Sequence, residues 1–112
     1  MIDTWSLSHR FILSLEEGDT FFLGEKEHKV IKRSLSKITL LIDGEKFNVL
    51  LKKCNDFFYL HSKSVKTGNR SYPLINQLLR DIEGYIIYLN HIHMFGNKEK
   101  KFKEILDRNL TN

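Results

Sequence analysis

Alanine does not occur anywhere in the 112 residues, and proline, cysteine and tryptophan occur once each. The lone cysteine, Cys54, cannot close an intramolecular disulfide. A reducing compartment is therefore expected, and the cytoplasm is the expected location. No apolar run comes near the roughly 20 residues that a membrane helix requires, so no membrane association is expected. The first residues carry Asp3 and lack a basic stretch ahead of an apolar core, which speaks against a secretory signal. A phosphate-binding loop is missing too, since no glycine run precedes Lys66-Thr67. Alanine and proline have GC-rich codons, whereas the abundant Lys, Asn, Ile and Phe have AT-rich ones. That usage is expected of a low-GC bacterium or one of its phages.

What the chain does contain is enough for one small core: 41% of the residues are hydrophobic, and the length suits a single domain. We divide residues 1–112 into an N-terminal segment (1–18), a β-meander (19–61), a basic loop (62–71) and a helical part (72–112). The meander is read from alternation and turn chemistry. Ile38, Leu40 and Ile42 fall on one side of a strand, because side chains alternate along it. Asp43-Gly44 follows as a hairpin turn. Phe47, Val49 and Leu51 then share a face while Lys46, Asn48 and Lys52 point away. Thr20 to Leu23, Lys29 to Leu35 and Phe57 to His61 read as further strands, the last entered through Asn55-Asp56. Connections this short make antiparallel neighbours. The expected fold class is α+β. An antiparallel meander of about five strands, or a small barrel, carries a short N-terminal helix and two C-terminal helices. The outline from Asp19 to His61 resembles SH3-like barrels in general, without a motif that names a family.

Leu7, Phe11 and Leu15 are spaced for a short helix that Thr4 would cap and Trp5 would pin to the sheet. Pro73 opens the strongest helical pattern. Ile75, Leu78, Ile82, Tyr85, Leu89 and Ile92 repeat at spacings of three and four, giving an amphipathic helix of about 20 residues that ends near Gly96. One reading has this stripe cover the sheet. The other has Ile75, Leu78, Ile82, Tyr85 and Leu89, with the off-stripe Ile87 and Met94, form the seam of a homodimer. Asn97 would cap a last helix with Phe102, Ile105 and Leu106 on its apolar edge. The lysines at its start oppose the helix dipole, which predicts either a weak helix or an anion there.

The net charge of +4 is uneven. Residues 1–24 hold one basic and four acidic side chains, and residues 71–112 hold six and five. Residues 25–70 hold eleven and five, so the excess lies on the meander and the loop behind it. Lys32, Arg33, Lys52, Lys53, Lys63, Lys66 and Arg70, with Tyr59 as a stacking ring, are the expected contacts for an anionic partner. Lys32 and Lys52 are expected to face solvent by alternation with Ile31 and Leu51.

Chemistry finds less support. His91 and His93 are two apart, whereas helical metal pairs stand three or four apart. His93 is expected beside the core stripe and His91 in water. Cys54, His9, His28 and His61 show no ligand spacing, and no residue pattern supplies a base for the thiol. No metal, no cofactor and no catalytic residue is expected. The expected function is non-enzymatic binding of an anionic partner, nucleic acid first and an acidic protein surface second. The competing expectation is a protein-interaction module from a phage or mobile element that inhibits or redirects a host factor, with the helix from Pro73 to Met94 or the basic loop as its interface.

Overall fold

The computed structural model describes residues 3–54, 57–64 and 71–110, with side chains described for 3–51 and 77–108. The fold is α+β. A helix, α1 (Thr4–Ser14), precedes an antiparallel sheet, and two helices, α2 (Ser71–Leu89) and α3 (Asn97–Leu110), follow it. The strands are β1 (Thr20–Leu23), β2 (Lys26–Arg33), β3 (Lys37–Ile42), β4 (Glu45–Cys54) and β5 (Phe57–Ser64), paired in sequence order. Among the described residues no ladder joins β1 to β5, so the sheet is open and the barrel expectation does not hold.

Turn chemistry sets the hairpins. Ile42 pairs with Glu45 across Asp43-Gly44, where both residues have positive φ, 48° and 82°. That is a type I′ turn, whose twist matches the flanking strands. Leu23 pairs with Lys26 across Gly24-Glu25, with φ of 63° at the glycine alone among these two. Strand β2 therefore starts three residues earlier than alternation suggests, at the first residue after this two-residue turn. The turn at Asn55-Asp56 lies outside the described residues.

In β2 the register skips a residue. Val30 pairs with Leu40 and Lys32 with Thr39, which leaves Ile31 as a bulge. His28 and Val30 are buried. Plain alternation from them would place Lys32 in the core; the bulge returns it to the face of Thr39. Lys32 is exposed as expected, but Val30 rather than Ile31 is the core residue, and the bulge is the reason.

The helices cover one sheet face. Phe11 of α1, Phe21 of β1 and Phe102 of α3 are fully buried and meet ring on ring, Phe11 on Phe102 at 4.3 Å and Phe11 on Phe21 at 5.1 Å. Tyr85 of α2 packs on Phe102 at 4.6 Å and donates its hydroxyl to Glu99 at 3.3 Å. Burial and the Glu99 carboxylate push this phenol up to about 12. The cluster ties all three helices to the sheet edge.

Caps differ from the sequence expectations. Asp3, not Thr4, caps α1, accepting the Ser6 N–H at 2.7 Å, while the Thr4 hydroxyl donates to Glu83 of α2. Trp5 is 39% exposed and meets His9 edge-on. α2 ends at Leu89, short of Gly96, and closes with tight bonds from Asn90 to Ile87 and from His91 to Tyr88. At α3 it is Gly96, not Asn97, that precedes the helix. Its carbonyl accepts from Lys100, and its N–H donates to Glu99 at 2.9 Å. Glu99 puts an acid in the first turn, and Lys98 pairs with Glu25 and lies over the Phe22 ring, so the lysine-rich start is compensated within the chain. Both His91 and His93 are exposed, against the expectation for His93.

Candidate anionic-partner surface

The sheet face away from the helices is built by cross-strand rows. Side chains of paired residues stand on the same face, about 5 Å apart. The ladders place Lys29, Leu41 and Lys46 in one row, with Thr20 at its β1 end. Lys32, Thr39 and Asn48 form the next, and Asn48 pairs onward with Lys63. Lys37 pairs with Leu50, which pairs with His61. Lys52 pairs with Tyr59 at the far end of β4.

The rows carry strong charge of one sign. Lys29, Lys32 and Lys46 are exposed and Lys37 is half-buried. Glu27, in register with Phe22, is the acid among the described strand positions of this face. Thr39 donates to the Asn48 side chain at 2.8 Å, a cross-strand bond that occupies the centre of the face and leaves the lysines around it. Leu50 is 38% exposed between them. Spaced ammonium groups around an exposed apolar side chain suit a flexible anionic chain, with lysines meeting phosphates and methyl groups meeting apolar surface.

The expected contact residues divide by strand parity. Lys32, Lys52, Lys63 and Tyr59 occupy register positions of this face. Arg33 pairs with Ile38 and Lys53 with Phe58, positions of the opposite, core-facing parity. Arg33 instead reaches over the sheet end and donates to the Leu15 carbonyl at 2.9 Å. Arg108 reaches the Ser14 carbonyl and pairs with Glu16 and Asp19. Two guanidinium groups thus satisfy the last carbonyls of α1, where the helix dipole welcomes positive charge. Arg33 thereby braces the end of α1. Lys66 and Arg70 lie outside the described residues. Lys29, Lys37 and Lys46 belong to the same face and were not among the expected residues; the signal lay in the register about Asp43-Gly44.

The expected dimer seam also divides. Leu78, Ile82 and Leu89 are buried within this one chain, and Tyr85 is half-buried against Phe102. Leu78, Ile82 and Leu89 are turned to this chain's own core, whereas Tyr85 keeps part of its surface exposed. Ile75 lies in α2, with its side chain outside the described set. Ile87 and Met94 are exposed, with Tyr88 beside them.

Compared with known proteins, the chain matches no family model, no curated protein and no solved structure. Among the described residues no helix is long and apolar enough to cross a membrane, and no group of His, Cys, Asp and Glu is placed to hold a metal ion.

Proposed function

We propose that this chain is a non-enzymatic binding protein of the cytoplasm whose open sheet face takes an anionic partner, single-stranded nucleic acid first. The observation that carries the reading is the row geometry: exposed Lys29, Lys32 and Lys46 surround the Thr39–Asn48 pair and Leu50 with one acid, Glu27, near by. Lys52, Lys63 and Tyr59 extend the same register. An acidic protein surface would meet the same charges, mainly through a faster association rate.

Lys29→Glu with Lys46→Glu tests this. Both side chains are exposed, so the melting temperature should stay unchanged. Affinity for a mixed-sequence labelled oligonucleotide should fall by at least about tenfold, and the log–log salt dependence should flatten by about 1 for each lost phosphate contact. If the unmodified chain shows no anisotropy change with the oligonucleotide at about 50 mM salt, nucleic-acid binding is refuted.

A second reading rests on a different observation. Ile87, Tyr88 and Met94 are exposed apolar side chains on and just beyond α2. They suit a protein-interaction module that inhibits or redirects a host factor, as a phage or mobile element would encode. Capture of partners from bacterial lysate with and without nuclease separates the two: nuclease releases a nucleic-acid-dependent partner and leaves a protein complex intact.

A further inference from the structure

Between α2 and the helix-covered face of the sheet lies a cavity of about 170 Å³. Leu40, Val49 and Leu78, all buried, form its inner wall, and the half-buried Ile42 and Phe47 stand further out. The exposed Lys26, Gln77 and Asp81 mark its rim, the last two held together by a 2.8 Å hydrogen bond. An apolar cavity of about 150 Å³ is enough to hold benzene.

One polar side chain stands inside this apolar wall. His28 is 4% exposed and lies stacked on Phe21 at 5.0 Å. Its Nδ1 is 3.0 Å from the Lys26 carbonyl. A carbonyl only accepts, so Nδ1 carries the hydrogen and Nε2 presents a lone pair. No other described residue hydrogen-bonds to this ring. Nε2 is not sealed in the core but opens to the pocket that His28 lines, where an entering donor can reach it.

We propose that this cavity is a binding site for a single-ring apolar molecule carrying one hydroxyl or N–H, with that donor on His28 Nε2. The polarity follows from the inner walls. A carboxylate would set a second acceptor against Nε2. A ring with no donor would fill the space but leave Nε2 unpaired. The site stands apart from the lysine rows, since it uses the core-facing residues of the same strands.

The test uses the full chain, with p-cresol and toluene as probes of matched size, followed through the methyl resonances of Leu40, Val49 and Leu78. p-Cresol should move these methyls saturably. Toluene should bind about five- to tenfold more weakly, the worth of one hydrogen bond. His28→Phe keeps the stack on Phe21 and should bring the two affinities together. Ile42→Phe should fill the outer cavity and weaken both. The proposal is overturned if p-cresol leaves these methyls unmoved up to its solubility, or if toluene binds as tightly as p-cresol to the unmodified chain. That comparison of two ligands decides the matter even where a variant fails to fold.

Discussion

His28 shows how little the sequence position of a side chain says about its surroundings. In the sequence it is a histidine between charged residues at the start of a strand. In the fold it faces the core, and burial lowers its pKa below the ordinary 6.5, outweighing the Lys26 carbonyl and the carboxylates of Asp43 and Asp81. The sign of the consequence follows. A folded-state pKa below the unfolded one means that the unfolded chain takes up the proton first. Stability from this residue is complete above about pH 6.5 and is lost as pH falls from there toward the folded value. Thermal melts at pH 7.5 and 5.5 should therefore show a larger loss for the unmodified chain than for His28→Phe. Equal losses would mean that His28 does not carry the acid sensitivity.

At the scale of elements, the bulge in β2 sets which residues face out. Ile31 is the extra residue, so removing it joins Val30 to Lys32 and leaves every other side chain on its present face. Removing Leu41, inside a regular ladder, shifts one part of β3 against the other and exchanges the two faces. Deletion of Ile31 should cost about 1 to 3 kcal/mol in urea unfolding, the range of an ordinary local change, and deletion of Leu41 should prevent folding. Equal losses would mean that the skipped residue is not where the register places it. The caps obey a similar local logic. Asp3 and Gly96 precede their helices because each meets a donor or acceptor three or four residues on, at Ser6, Glu99 and Lys100.

For the molecule as a whole, the division of apolar surface between core and exterior decides the association state. α2 spends Leu78, Leu79, Ile82, Ile86 and Leu89 on the sheet and its companion helices. Among the described residues of the expected seam, a two-fold contact has Ile87 and Met94 left to work with, next to Tyr88. If self-association uses that face, light scattering at high micromolar concentration should show a dimer mass that Ile87→Glu with Met94→Glu reduces to a monomer. A monomer mass for the unmodified chain would refute self-association. The same melting temperature in both chains would confirm that neither residue serves the core.

Local order is what the sequence by itself determined. The type I′ turn at Asp43-Gly44, the pairing of the strands around Leu40 and Val49, the apolar stripe from Leu78 to Leu89 and the apolar edge of α3 all rest on interactions within a few residues. Such interactions leave a periodicity or a turn residue to read. Tertiary structure alone decided the rest, because it depends on which elements meet. Whether the stripe of α2 covers a sheet or a second copy is the same pattern in one dimension. Arg33 looks like one more surface cation until α1 brings the Leu15 carbonyl to it. Lys29, Lys32 and Lys46 become one surface only when the ladder and its bulge set them side by side. The pocket that His28 lines exists only where α2 lies over the sheet.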